Sequence, residues 1–418
     1  MSLSCFDFGE RMLTVEEAKT IIAGLVTSTM TSEWQPLATL HGRVLAEAMT
    51  SPIDVPQNTN AAMDGIALAW PQADAPRPGS WPLVGEVLAG HHRDAPLPPG
   101  ECVRITTGAP LPSGADTVIM REQLEEQEGR IRILQTESVR RGQHVRLAGE
   151  DIARGVVALE AGTRLKAAEL GLLASLGVAG AQVYRRPRVA IFSTGDEVTA
   201  PGEPLPPAGI FDANRFTLRG LVAEHGGEVE DIGILPDDRD ALVAALAAAA
   251  VDADLVITSG GVSVGEADQV RAALDEVGEL GFWKIAIRPG RPMACGRLGP
   301  RGTPFFGLPG NPVAAMVTFL QFVAPLLARL QGRGEWPCRR LTALAEADLP
   351  SRSGRVDFLR GVFYSDAQGR LRVRSTGRQG SGILSSMVAA NCLVEIPSDR
   401  KGIARGEAVS IQPFADID

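Results

Sequence analysis

Between Arg188 and Val277 short, fully apolar runs alternate with stretches of helical spacing, and this alternation restricts the fold more than any other feature. RVAIFS reads as a buried strand that ends in Thr194-Gly195-Asp196-Glu197. Asn214 to His225 has helical spacing and is stopped by Gly226-Gly227, since glycine accepts the backbone that ends helices. VEDIGIL is then a strand, Asp238 to Ala250 an alanine-rich helix, LVITS a strand, and Glu266 to Val277 a helix. Strands separated by helices of this length join as crossovers, so the segment predicts a doubly wound parallel sheet covered on both faces. A further long helix is expected from Asn311-Pro312, with asparagine as N-cap and proline at the first helical position.

The flanking regions differ in texture. Thr14 and Glu17 form a T-x-x-E capping box before VEEAKTIIAGLV, which predicts a helix, and a second short helix is expected over Trp34 to Met49. From Pro52 to about Glu150 short strands such as TVIM and RIRIL are broken by proline and glycine, the pattern of a small β unit. KAAELGLLASLG reads as a helix before the basic YRRPR. From about Trp336 β texture returns in RVDFLRGVFY, LRVRST and CLVEIP.

The chain has 418 residues, enough for two to four domains, and a net charge of -9. That charge opposes nucleic acid and anionic membranes, so an anionic substrate requires a local cluster of cations. The five cysteines, at 5, 102, 295, 338 and 392, are odd in number and include no CxxC pair, which argues against both a disulfide framework and a zinc site. The start MSLSCFDFGERM lacks the features of a signal peptide. The longest purely apolar run, Ala241 to Val251, is about half the ~20 residues of a membrane span. These features together lead us to expect a cytoplasmic protein that binds neither membrane nor nucleic acid.

In open α/β sheets, ligands sit at the carboxyl ends of strands. Two loops there stand out. Ser193-Thr194-Gly195-Asp196-Glu197 places hydroxyls and carboxylates directly after a strand. Ser259-Gly260-Gly261-Val262-Ser263-Val264-Gly265 has the glycines that let backbone N–H groups approach a phosphate, although glycines also serve simply to turn a chain. The second loop also spells G-x-S-x-G, the nucleophile elbow of α/β-hydrolases. That fold needs a histidine after the serine, and all five histidines precede Ser263. Next, Lys284 and Arg288 alternate with Ile285 and Ile287 before Pro289-Gly290-Arg291, so a continuous strand would put both cations on one face. Apolar neighbours favour a cleft over a free surface, and paired cations in a cleft suit tetrahedral or phosphate oxyanions. Gly307-Leu308-Pro309-Gly310-Asn311-Pro312 opens the long helix, and a helix start beside a glycine turn also suits an anion. In the early β segment, Asn60-Ala61-Ala62-Met63-Asp64-Gly65 and the turn at Thr106-Thr107-Gly108 read by themselves as local hydrogen-bonding motifs. Phe358-Leu359-Arg360 and Gly380-Ser381-Gly382 carry no signal alone.

Taken together, NAAMDG, RITTGAPLPSGADTVIM, VRLAGEDI, STGDEV, TSGGVSVGEAD, KIAIRPGRP, FFGLPGNPV and GSGILSSMVAANCL resemble, in order, the MoeA-type molybdopterin molybdotransferases, whose relatives include the E domain of gephyrin. The resemblance runs from about residue 57 to 397. It implies an elongated subunit of α/β plus β domains: 1–52 together with 151–186 as a mixed linker domain, 53–150 β-rich, 187–335 α/β and 336–418 β. It further implies a head-to-tail homodimer with the cleft between subunits, adenylylated molybdopterin and molybdate as substrates, release of AMP, and Mg2+ or another divalent cation. A molybdopterin adenylyltransferase and the apoenzymes that receive the cofactor follow as partners. Asp64, Glu197 and Asp268 are implied as active-site carboxylates and metal ligands, with Asp237 beside them and Thr107 near the substrate. Lys284, Arg288, Arg360 and Ser381 are implied to hold molybdate and pterin phosphate. Ser259, Gly260, Gly261 and Ser263 would cradle a phosphate, and Pro309 and Pro312 complete the binding set.

The chain departs from the usual pattern at Ile66, where tyrosine is common, at Arg288 and Arg291, where lysines are common, and at Ala314, where serine is frequent. Arginine keeps the charge but does not shed a proton. These departures bear on oxyanion preference and affinity more than on reaction class. Two other readings compete with the transferase: a non-catalytic scaffold that binds a partner's peptide in the same cleft, and a nucleotide pyrophosphatase or adenylyltransferase built on the α/β domain.

Overall fold

The computed structural model describes residues 11–72, 77–260, 273, 276–334 and 340–414, and most of the helix expected over Glu266 to Val277 lies outside them. The chain divides into two compact units. One holds the residues up to Glu33, Gly42–Ala46 and everything from Val183 onward; the other holds Trp34–His41 and Glu47–Gln182.

In the first unit, strand β1 (Met12–Leu13) leads into helix α1 (Val15–Ala23), whose start is fixed by the expected reciprocal cap between Thr14 and Glu17. Then follow β2 (Arg188–Thr194), α2 (Asn214–Glu224), β3 (Glu228–Leu235), α3 (Arg239–Asp252), β4 (Leu255–Ser259), β5 (Gly278–Ile285), β6 (Pro292–Leu298), β7 (Thr303–Leu308) and the long helix α4 (Pro312–Leu330). The sheet order is β1-β5-β6-β7-β4-β2-β3. Every pairing is parallel except the two made by β6, so the sheet is mixed and corrects the expectation of a purely parallel one. The reason is connection length. Residues 286–291 and 299–302 are too few for a crossover helix, and links this short join antiparallel neighbours.

Alternation along the strands sorts the apolar residues onto two faces. Val189 and Ile191 of β2 pack with α1, α2 and α4, whereas Ala190 and Phe192 pack with α3. Helix α4 is long and apolar enough to cross a membrane, yet 78% of it is buried within the protein, as suits a core helix. Its middle, Phe319–Val323, widens into a π turn just ahead of Pro325, which has no N–H to donate to the preceding turn.

The unit ends in five strands, β8 (Leu341–Ala345), β9 (Val356–Ser365), β10 (Leu371–Ser375), β11 (Cys392–Ile396) and β12 (Ala408–Pro413). They pair as β9-β10-β8-β12-β11 and back to β9, closing a small barrel around Val373, Val394, Val409 and Ile411. Closure is possible because β9 is long: Gly361–Ser365 pairs with β10 and Asp357–Gly361 with β11. A two-residue strand, Ile287–Arg288, adds to β9 at Val356–Asp357.

The second unit is β-rich. Six strands lie in the order Thr117–Met120, Gly65–Leu68, Cys102–Ile105, Trp81–Val87, Arg130–Ile133 and Leu124–Gln127. Ile66 and Leu68 face a cluster that includes the stacked Trp70 and Trp81, and Ala67 faces another with Val103 and Ile105. The helix at Ala167–Ser175 forms as expected. The helix expected over Trp34 to Met49 does not: Ser32–Pro36 is extended and only Leu37–Thr39 makes a single 3-10 turn. Pro36 withholds an N–H, and Gly42 at φ +75° breaks the path.

Phe306 sits fully buried on β7 among α4 and the sheet. Phe306→Ala is expected to destabilise the first unit by about 3–5 kcal/mol, read as a lowered midpoint in chemical denaturation.

Candidate functional site

Strands β7, β4 and β2 are parallel neighbours, so their carboxyl ends meet along one edge. Gly260, just past β4, has φ +97°, and a Cβ there would stand 2.9 Å from the Thr194 carbonyl oxygen, which leaves glycine as the residue that fits. Gly260 N–H donates to Leu308 O at 3.2 Å, which ties the loop to the end of β7. Asn214, the first residue of α2, donates from Nδ2 to Ser259 Oγ and to Gly310 O, both at 2.6 Å. Its position is braced by buried Asp212, which accepts from Ser193 Oγ at 3.0 Å, from Arg215 N–H at 3.1 Å and from Arg215 Nε at 2.9 Å. Arg215 Nη1 donates in turn to both oxygens of Asp231. Pro309 is buried between these contacts. Gly261, Ser263 and Asp268 lie outside the described residues.

A second cluster surrounds the start of α4. Val313 N–H donates to Ser381 O at 3.0 Å, so the Gly380–Gly382 loop rests on the helix end where Pro312 takes the first position. Asn311 occupies the N-cap position, but its side chain makes no capping bond, unlike the cap expected of it. Arg360 is 1% exposed, and its guanidinium donates to Ser386 Oγ at 3.0 Å and to Gly380 O at 3.1 Å. Both partners are neutral, and among the described residues Arg360 makes no salt bridge. Burial lowers its pKa. A buried cation without a carboxylate is unfavourable until an anion joins it.

Arg288 is arranged differently. Its Nη1 donates to Asp357 Oδ2 at 2.8 Å, and that buried carboxylate also accepts from Ser351 Oγ at 2.5 Å. Lys284 is exposed on β5. The stretch expected as one strand is broken after Ile285, because Ile287–Arg288 leaves the sheet to pair with the barrel. The shared face expected for Lys284 and Arg288 therefore has no continuous strand beneath it.

The carboxylates fall in both units. In the second, Asp64 Oδ1 accepts from the Thr107 N–H and from the Thr107 hydroxyl, each at 2.7 Å. These bonds, with the Arg121 charge behind them, hold the Asp64 carboxyl below the usual range. The Thr107 hydroxyl is thus occupied in orienting Asp64. In the first unit, the Glu197 carboxylate folds over Gly195, to within 2.7 Å of where a Cβ would stand. Asp237 is half-buried and its carboxyl is pushed up, first by burial and then by the charges of Asp196 and Glu197, against a lowering bond from the Asp196 N–H. Asp196, Glu197 and Asp237 therefore form one acidic group at the ends of β2 and β3. Among the described residues no three His, Cys, Asp or Glu side chains already form a metal cage. Asp212 and Asn214 are the residues that sequence reasoning missed: FDAN reads only as the approach to a helix. The signal was an aspartate two residues before an asparagine at the edge of a strand-end cleft.

The first unit is thus an α/β domain with a mixed sheet followed by a small barrel, with a buried arginine of the barrel tied to the loop that rests on the start of α4. Residues 190–329 match the family described as probable molybdopterin binding domain, 13–177 the MoeA N-terminal region (domain I and II), and 342–414 the MoeA C-terminal region (domain IV). The molybdopterin molybdenumtransferase of Haemophilus influenzae is 42% identical over 96% of this chain and 99% of its own length. That of a Nostoc species is 36% identical over 96% and 93%. The crystal structure of the molybdopterin biosynthesis moeA protein of Pyrococcus horikoshii OT3 superposes with a TM-score of 0.82 at 30% identity, covering 97% of this chain and all of that one. The chain belongs to the MoeA family of molybdopterin molybdenumtransferases.

Thr107→Val removes one of the two bonds to Asp64. We expect the Asp64 pKa to rise partway toward the ordinary carboxylate value, read by NMR titration of the carboxyl carbon. Because the wild-type value is lowered, the ionised, Thr107-bound form persists above the ordinary pKa and is lost only as pH falls through the lowered one. An unmoved titration would show that the hydroxyl does not bind the carboxylate in solution.

Proposed function

We propose that this chain inserts molybdate into adenylylated molybdopterin and releases AMP, as the last step in making the molybdenum cofactor. The single observation that carries this reading within the site is Arg360, a buried guanidinium whose partners are a serine hydroxyl and a backbone carbonyl. A site so built favours an oxyanion, and the start of α4 beside Ser381 adds the positive end of a helix dipole. Molybdate is a dianion that must be brought beside an anionic pterin phosphate, and paired cations reduce that repulsion.

In this reading Arg360, Ser381, Lys284 and Arg288 hold molybdate and the pterin phosphate, with Pro309 and Pro312 shaping the walls. Ser259 and Gly260, with Gly261 and Ser263, cradle a phosphate through backbone N–H groups. Asp64, Glu197 and Asp268 hold a divalent cation, with Asp237 beside them. The donor chemistry suits magnesium: carboxylate oxygens, among them Asp237, whose carboxyl is pushed up by burial and by the charges of Asp196 and Glu197 that a cation would offset. When bound, such a cation neutralises charge on the bridging phosphates of the phosphoanhydride. Asp64, kept ionised by Thr107, is ready to ligate at any pH near neutrality. The four-part division into 1–52 with 151–186, 53–150, 187–335 and 336–418 is part of the same proposal. So are a cytoplasmic homodimer that completes the cleft between subunits, and exchange with a molybdopterin adenylyltransferase and recipient apoenzymes.

The test is AMP release from adenylylated molybdopterin with magnesium, with and without molybdate. Release that depends on molybdate, and is lost in Asp64→Asn, supports the transferase. Release indifferent to molybdate would replace it with a pyrophosphatase, and no release under any oxyanion with a scaffold. Arg360→Met is expected to weaken the response to molybdate by roughly 100-fold or more, on the order of 3 kcal/mol for a charged hydrogen-bonded contact. Magnesium affinity is expected to fall as pH drops through the raised Asp237 value, where the proton competes with the cation, and Asp237→Asn should flatten that dependence.

A further inference from the structure

Asn214 makes both of its hydrogen bonds from one atom. Nδ2 donates to Ser259 Oγ and to Gly310 O, each at 2.6 Å. A backbone carbonyl only accepts, so the bond to Gly310 settles which end of the amide is nitrogen. Two consequences follow. Ser259 Oγ receives a hydrogen from Asn214 and keeps its own to offer elsewhere. Asn214 Oδ1 is turned the other way, where it is buried and has no hydrogen-bond partner among the described residues. At the end of the adjacent strand, Thr194 is 4% exposed, and its Oγ1 is likewise buried with no hydrogen-bond partner among the described residues.

Gly260 and Gly310 leave no side chain among these atoms. A Cβ on Gly260 would lie 3.5 Å from Thr194 Oγ1, and one on Gly310 would lie 3.8 Å from the Gly260 Cα. Buried polar atoms without partners are rare and unfavourable, and a pair of them beside a strand-end cleft marks a place where a ligand completes the bonding. Asp212, two residues earlier, is tied to Ser193 and Arg215, which holds the backbone from which Asn214 projects.

We propose that Asn214 sorts donor from acceptor in this cleft: through Nδ2 it presents the Ser259 hydroxyl as a donor to an anionic oxygen, and through Oδ1 it accepts from an N–H or O–H of the same ligand. The proposal rests on the reading that the cleft takes adenylylated molybdopterin. A pterin phosphate carries both halves of the required chemistry, ring N–H donors and phosphoryl oxygens. Asn214 is thus a binding residue on one side of its amide and a positioning residue on the other.

The experiment is a double-mutant cycle on the full-length protein. Affinity for adenylylated molybdopterin is measured by equilibrium dialysis for wild type, Asn214→Ala, Ser259→Ala and the double variant, with thermal midpoints alongside. We expect Asn214→Ala to weaken binding by roughly 10-fold or more, ~1.4 kcal/mol per tenfold. The double variant should lose clearly less than the product of the single losses, because without Asn214 the serine hydroxyl is already misdirected. A loss equal to that product would overturn the positioning role, and an unchanged affinity in Asn214→Ala would overturn the whole proposal. Asn214→Asp guards against a folding defect: it keeps the size and an acceptor but puts oxygen where Gly310 and Ser259 need a donor. It should bind as weakly as the alanine variant, and wild-type affinity there would also count against us. Wild-type protein that neither binds nor turns over the substrate sinks the functional reading itself, whereas tight wild-type binding with indifferent Asn214 variants sinks only this inference.

Discussion

Helix α4 packs against the sheet on one side and the barrel on the other within a single apolar cluster, and the placement of the site follows from that packing. Val313, Val317, Phe319, Phe322 and Leu326 share this cluster with Ile257 and Phe306 of the sheet and with Phe358, Met387 and Leu393 of the C-terminal region. Burial on this scale is worth roughly 1.5–3 kcal/mol per large side chain. It leaves the helix no freedom to slide, so its first turn stays where Gly310 reaches Asn214 and Ser381 reaches Val313. A site assembled from a strand end, a helix start and a barrel loop needs such a common support, because each loop alone would wander by more than hydrogen bonding tolerates.

The electrostatics are local. A chain of net charge -9 presents an unwelcoming average field to an oxyanion. The structure answers by separating cations into two kinds. Arg288 is paired with Asp357 where the sheet meets the barrel, while Arg360 is buried among neutral partners. The two arginines thus sit in different surroundings, and the difference lies in whether a carboxylate accompanies each.

Much of this was legible in the sequence. The α/β alternation, the capping box at Thr14 and Glu17 and the barrel strands follow from hydrophobic period and turn chemistry, which are local properties. The antiparallel β6 was not read because a run such as PMACGRL carries no sign of its direction; only the short links on either side reveal it. The Trp34 to Met49 stretch shows the converse error, in which helical spacing was credited although Pro36 and Gly42 argued against it. Of the residues proposed for the site, Ser259 and Gly260 stand in a glycine-rich loop that local pattern marks, whereas Arg360 and Ser381 carry no local signal and enter only through the family resemblance. Asn214 was hidden because its importance comes from two partners 45 and 96 residues away, which no local pattern encodes.

The carboxylates show how one chain keeps acids of like kind in different states. Asp64 gains two hydrogen bonds from Thr107 and the attraction of Arg121, all of which favour its charge. Asp237 loses water and faces Asp196 and Glu197, both of which disfavour its charge. The first is thereby held in its charged form. The second carries a repulsion that a proton relieves, which is why its carboxyl is pushed up. Like groups in the two units thus differ through their neighbours, the one through hydrogen-bond donors and a cation, the other through burial beside like charge.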